Sequence, residues 1–282
     1  MSLALRPHRL LSLAMLGVLL LVRPAVAQEP VAEEPVAPAQ PAAAAPAVSA
    51  QAEFEAGQQA LAGEDYATAF GHFEAALEAE PNNLRYGSVY RQGVIAAGAY
   101  ERCIGFFTRL VAAHPDAPNA FLNLGYAMVD KIPTEGAITQ VLIANAALGH
   151  FSKALELEDS WLGRYTRGNS YLYWPAIFGR TPLAVADFER AIELAKDLPR
   201  ASYHGRVWVG LGDASWRLDD VEEARRIWRE GQKLYPEEPG FEARLSLDDA
   251  ALDEFLEDRF DAHNRVDTDL SVTWTQSGGP QP

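Results

Sequence analysis

The sequence predicts an all-α fold: an α-solenoid of about five helical hairpins closed by a C-terminal capping helix. Three observations predict it. From Gln51 onward apolar residues recur at helical spacing, and no stretch of any length alternates apolar and polar as a half-buried strand would. A spaced set, Ala69, Phe73, Ala76 and Pro81, returns 34 residues later as Cys103, Phe107, Leu110 and Pro115, a period typical of stacked helical repeats. A glycine also recurs at one register position of the helix that precedes each set, at Gly57, Gly125 and Gly212. Glycine inside a helix costs about 1 kcal/mol against alanine, so its recurrence implies a neighbour too close for a side chain.

The chain begins with a basic start, Arg6, His8 and Arg9, followed by an apolar run from Leu10 to Val22 and the small-x-small pattern Ala25-Val26-Ala27. The run is short for a membrane span, and residues 1–27 read as an export leader cut after Ala27. Residues 28–50 are rich in Ala, Pro and Glu; repeated prolines block regular helix, and an extended tether is expected. A helical domain is expected at 51–262 and a flexible tail at 263–282, with Trp274 either docked back onto the stack or solvent-exposed. The set of small residue, aromatic and small residue continues as Ala147, Phe151 and Ala154, then Ala184, Phe188 and Ala191, and closes with Ala224, Trp228, Gly231 and Pro236. The intervals lengthen in the middle: 44 residues from Phe107 to Phe151, 37 to Phe188 and 40 to Trp228. The extra residues are placed in turns around Asp130–Gly136, Trp174–Pro182 and Asp197–Tyr203. Thr181 with Pro182 reads as a hydroxyl cap followed by proline at the first helical position. Phe241, Leu245, Leu252, Phe255 and Leu256 suit a capping helix at about 240–260, which a stack of hairpins needs to cover its last apolar face.

The most regular unit is Val207–Pro236. An aromatic-x2-Leu-Gly first helix, an Ala-x3-Phe-x2-Ala second helix and a closing proline resemble the tetratricopeptide repeat, in a protein of the exported bacterial type, over roughly residues 51–240. The resemblance implies a concave groove lined by first helices that takes a peptide or a partner helix. In register, that inner face comprises Gln58, then Arg85, Ser88 and Gln92, then Asn119, Leu122 and Tyr126, then Arg206, Val209, Asp213 and Trp216. The Lys/Asn/Arg set with which one subclass of the family grips a C-terminal carboxylate is not supplied at these positions.

The stretch Arg164–Pro182 departs from the repeat pattern. It places Tyr165, Tyr171, Tyr173 and Trp174 beside Arg164, Arg167 and Arg180. Aromatics interleaved with arginine can stack and bind carboxylates. Equally, the rings can fill space opened by the insertions while the arginines pair with neighbouring acids.

Composition narrows the function. The 282 residues carry 24 Lys and Arg against 39 Asp and Glu, a net charge of −15. A field of that sign repels nucleic-acid phosphates and anionic membranes. The single cysteine, Cys103, excludes an intrachain disulfide and a cysteine zinc cluster. The histidines, at 8, 72, 114, 150, 204 and 263, show no metal-ligand spacing, and no phosphate loop or nucleophile elbow is present. The expectation is a non-enzymatic, cofactor-free scaffold in the periplasm or secreted. It would bind a protein or peptide partner of the cell envelope in its groove, with the Arg164–Arg180 stretch as a second contact. The alternative is an accessory component of a solute uptake system, holding a small ligand in an enclosed pocket.

Overall fold

Ten helices pair in sequence order, three of the pairs on links of two or three residues and the third and fourth pairs on longer ones. The computed structural model describes residues 49–261, 264 and 266–275, so the expected leader, nearly all of the tether and the last seven residues lie outside it. The hairpins are α1 (Ala50–Ala62) with α2 (Tyr66–Ala79), α3 (Leu84–Ala97) with α4 (Tyr100–Ala113), α5 (Pro118–Lys131) with α6 (Ala137–Leu157), α7 (Trp161–Leu172) with α8 (Thr181–Ala195), and α9 (Gly205–Arg217) with α10 (Val221–Leu234). The single turn α11 (Glu242–Leu245), the capping helix α12 (Asp249–Arg259) and the single turn α13 (Val272–Thr275) complete the described chain, which contains no strand. Polar side chains satisfy the orphan amides at several helix starts. Ser49, Asp65, Asn83, Ser160, Asp220 and Asp248 each accept from a backbone N–H three residues on.

The second helices obey one register. Ala69, Cys103, Ala184 and Ala224 are each the fourth residue of their helix. Five residues before each stands a left-handed residue that reverses the chain: Glu64, Gly98, Gly179 and Asp219, with φ of 57°, 66°, 61° and 64°. This register explains one correction. Thr181 is the first residue of α8 and not its cap; the cap position falls on Arg180 and Pro182 is the second helical residue.

The third unit breaks the register and corrects a second expectation. Its extra residues do not form a long turn. They become a 3-10 turn at Ile132–Thr134 and an extension of α6, which starts at Ala137, well before Ala147. The segment 137–143 adds about two turns that no other second helix possesses.

Within a hairpin, the recurring glycine lies under the aromatic ring of the second helix. A Cβ added at Gly57 would meet Phe73 at 2.6 Å, one at Gly125 would meet Phe151 at 2.3 Å, and one at Gly212 would meet Trp228 at 2.1 Å. Gly168 repeats the arrangement under Phe188 at 3.0 Å. In the second unit the same position, twelve residues before Cys103 as Gly57 is before Ala69, holds Arg91. There α3 and α4 touch along less of their length than the helices of any other hairpin.

Arg91 is fully buried and its charge is answered inside the fold. Nη1 donates to Asp130 Oδ2 at 2.9 Å, Nε to Asn123 Oδ1 at 3.2 Å, and Nη2 to the backbone oxygen of Thr268 at 3.1 Å. The guanidinium also lies 4.6 Å from the centre of the Tyr126 ring. The Thr268 hydroxyl donates to the other oxygen of Asp130 at 2.5 Å. Residues 266–275, expected as part of a flexible tail, therefore return across α3 and α5. Thr268 and Leu270 are buried, and Trp274 packs against the first core. The cap is anchored likewise: Arg244 grips buried Asp213 of α9 through Nε and Nη2, while Leu252 and Leu256 of α12 are wholly buried. Cys103 lies in the first core, where burial pushes its thiol pKa up.

Two expectations test these contacts in urea denaturation of the purified protein. Gly125→Ala forces its methyl carbon into the Phe151 ring and destabilises by about 1–3 kcal/mol. Gly71→Ala and Gly149→Ala, on helices with nothing within 4 Å, stabilise by about 0.5–1 kcal/mol; equal effects at the three sites would contradict the close-approach account. Asp130→Ala leaves the Arg91 charge buried and unpaired and lowers stability by about 3–5 kcal/mol. Thr268→Val, which removes one hydroxyl, costs about 1–3 kcal/mol, and a neutral Asp130→Ala would refute the buried node.

Candidate functional site

The residues singled out from the sequence fall in three places. The inner-helix set is largely consumed by the fold. Gln58 and Arg85 are exposed, Arg85 over the Phe54 ring at 5.4 Å, and Gln92 is half-buried. Asn119 binds back to Asn82, its backbone N–H donating to Oδ1 at 2.8 Å and its amide to the backbone oxygen at 2.9 Å. Ser88, Leu122, Tyr126, Val209 and Asp213 are buried, a correction to their placement on a groove wall. The first helices pack on one another there, and the returning C-terminal segments supply Thr268 to Arg91 and Arg244 to Asp213. The Tyr126 hydroxyl pairs with that of Thr166, and burial raises its pKa to about 12. Arg206 faces Glu238 at 3.8 Å, and the Trp216 indole donates to Asp253 of the cap at 2.7 Å.

The Arg164–Arg180 stretch is split between two jobs. Arg164 and Arg167 clasp α7 to α8. Both donate to Asp187, which is 2% exposed: Arg164 Nη1 to Oδ1 at 2.8 Å, Arg167 Nε to Oδ2 at 2.7 Å and Nη2 to Oδ1 at 2.8 Å. Arg164 reaches Asp159 as well, at 2.6 Å. These two arginines are therefore occupied by acids of their own chain. Tyr171 packs against both cores and Tyr173 meets Phe260 edge-on at 5.2 Å.

Trp174 and Arg180 belong to the third place, the turn between α7 and α8 where it faces the extension of α6. The Arg180 guanidinium lies 3.6 Å from the centre of the Trp174 ring, and Phe178 meets that ring edge-on at 5.4 Å. Arg217 Nη2 donates to the Trp174 backbone oxygen at 2.9 Å. Arg180 Nη2 bonds Asn145 of α6 at 3.2 Å, tying the turn to that helix. Between the two elements lies a cavity of about 260 Å³ walled by Val129, Pro133, Val141, Phe151, Tyr173 and Trp174 among others. At its rim Val141 is 47% exposed; outside it Ile138 and Leu142 are 82 and 66% exposed, and Ile177 and Phe178 are 90 and 53% exposed.

The α6 extension was absent from the sequence-derived candidates because the extra residues of the third unit were placed just before it, around Asp130–Gly136. A signal was present. Ile138, Val141 and Leu142 fall at i, i+3 and i+4, the spacing of one helical face.

No family model matches the sequence, and no curated protein matches it either. Solved structures do. TTC0263, described as a thermophilic tetratricopeptide-repeat protein of Thermus thermophilus, is 18% identical at a TM-score of 0.51, over 70% of this chain and 97% of its own. YrrB, described as a tetratricopeptide-repeat protein with an unusual peptide-binding site, is 16% identical at a TM-score of 0.46, over 71% of this chain and 93% of its own. MamA is 17% identical at a TM-score of 0.45, over 65% and 90%. The likeness to the first of these, together with the five consecutive hairpins, four of them in one register, gives this chain the tetratricopeptide-repeat fold.

Proposed function

We propose that the chain is a non-catalytic protein-interaction scaffold that docks a helix of a partner protein on the face of the α6 extension. The observation that carries this reading is the exposed stripe of Ile138, Val141 and Leu142, with Ile177 and Phe178 exposed on the α7–α8 turn beside Trp174. Contiguous large aliphatic and aromatic side chains are rarely left in water on a soluble surface without a use. A stripe at i, i+3 and i+4 beside a second apolar edge is the shape into which an amphipathic helix lays its own apolar face. The net charge of −15 favours a partner helix with basic flanks, steered in by the overall field. The exposed Arg85 and Gln58 and the half-buried Gln92 leave a smaller polar surface on the inner helices for an extended segment.

The proposed setting is the cell envelope. Residues 1–27 would direct export with cleavage after Ala27, and the Ala/Pro-rich stretch to residue 50 would tether the helical domain in the periplasm or outside the cell. Among the described residues no helix is long and apolar enough to cross a membrane.

A photo-reactive residue at position 142 of the full chain, expressed in its native host, identifies the occupant. The corresponding purified partner segment is then titrated against wild type and against Ile138→Glu with Leu142→Glu. Binding weakened by about tenfold or more in the double variant, at unchanged thermal stability, is the expected result. Equal binding, cross-links confined to residues 28–48 of the same chain, or a second copy of the chain as the captured species would overturn it.

A further inference from the structure

The cavity beside Trp174 has properties that helix docking does not require. No charged side chain is among its described lining residues. Its walls come from four separate parts of the chain: Val129, Ile132 and Pro133 at the end of α5, Ala137 to Phe151 on α6, Asn169 to Pro175 at the end of α7, and Asn264 with Val266 from the returning segment. Trp174 is fixed from three directions by Arg180, Phe178 and Arg217, so the principal apolar wall is preorganised.

Three amides line this apolar space, of which Asn264 donates to the backbone oxygen of Asp258 at 2.6 Å. Gln140 Nε2 donates to the backbone oxygens of Ile132 and Glu135, at 3.2 and 3.0 Å, which uses both of its hydrogens and leaves its Oε1 as an acceptor. The half-buried Asn169 lines the cavity, and its side chain has no hydrogen-bond partner among the described residues. A few placed polar groups in an apolar chamber are how ligand sites fix orientation.

We infer that this cavity is a binding site for a small, uncharged, mainly apolar molecule carrying one hydrogen-bonding group, held between Trp174 and α6 with its polar atom on Gln140 and Asn169. Size sets the class. An apolar cavity of about 150 Å³ holds a benzene ring, so about 260 Å³ suits a fused bicyclic ring or a branched chain of comparable bulk. Charge sets it too, because a carboxylate or ammonium would enter with no counter-charge among the described walls and would lose its hydration. The site and the docking face share Val141 but are separable, since Ile138 and Leu142 point outward from the same two turns and do not line the chamber.

Ligand-detected NMR titration of the purified full chain with indole, naphthalene and benzoate tests this. Indole is expected to bind saturably with Kd below about 1 mM, and benzoate at least about tenfold more weakly. Ala144→Phe fills the chamber from within, and Ala137→Leu fills it from the exposed first turn of α6, where the fold tolerates a larger residue. Each is expected to weaken indole by about tenfold or more at unchanged circular dichroism. Asn169→Leu should weaken indole while leaving naphthalene within about twofold. Ile138→Glu with Leu142→Glu should leave indole binding unchanged, so loss of helix docking and loss of the ligand site are read independently. No saturable indole binding, wild-type affinity in both filled variants, or benzoate bound as tightly as indole would overturn the assignment.

Discussion

A ring on the second helix resting against a glycine on the first sets how closely each hairpin closes, and much of the rest follows from where that contact is kept or lost. Four of the five units keep it, with Phe73, Phe151, Phe188 and Trp228 over Gly57, Gly125, Gly168 and Gly212. The second unit puts Arg91 there instead. A guanidinium cannot sit under a ring at that spacing, so the hairpin opens and the charge is enclosed. An enclosed charge is tolerated only when paired and fully hydrogen-bonded. Asp130 and Asn123 of the third unit supply part of that requirement, and the Thr268 carbonyl supplies the remainder. One substitution in the repeat register thus draws in the C-terminal segment, which carries Leu270 and Trp274 onto the first core.

The other irregularity, the lengthened third unit, produces the chamber and the docking face together. Adding residues as helix pushes α6 past the point where the other second helices begin, so its first turns have no neighbouring second helix to cover them. Their inward side meets the α7–α8 turn, which is itself lengthened and reaches toward it through Arg180 and Asn145. The gap left between them is the cavity, and the uncovered outward side is the stripe of Ile138, Val141 and Leu142. The two cores of the molecule also divide here, with Tyr171 packing on both.

Much of the architecture was legible because it rests on local rules that repeat. The Ala-x3-Phe spacing located all five second helices, and the recurring glycines announced the close approaches at Gly57, Gly125 and Gly212. Acidic caps follow the same local rule, with Asp220 and Asp248 accepting from the first turns of α10 and α12. What could not be read depends on partners distant in sequence. Asp213 and Tyr126 have the composition of a polar helix face, and nothing nearby in sequence announces that Arg244 and Thr166 will enclose them. Arg164 and Arg167 look like a basic patch until Asp187 is placed between them. The α6 extension escaped for a different reason: all ten extra residues were placed around Asp130–Gly136, whereas that segment holds only the short 3-10 turn and the rest lengthen the helix that follows.

The buried ion pairs also bear on what the net charge means at the surface. Arg91, Arg164, Arg167 and Arg244 are each turned inward onto Asp130, Asp187 or Asp213, which are themselves 3, 2 and 1% exposed in whole-residue terms. Only two of the four cations, Arg91 and Arg244, are buried with these three carboxylates; the Arg164 and Arg167 side chains stay 24% and 19% exposed. The fold therefore withdraws slightly more negative than positive charge, and the surface stays strongly acidic because the composition is. Other arginines are spent on exposed carboxylates, Arg226 on Glu223 and Glu230 and Arg200 on Glu237. An apolar stripe on such a surface discriminates by charge as well as by shape: acidic chains are held off at long range, and a partner with basic flanks meets both the field and the hydrophobic contact.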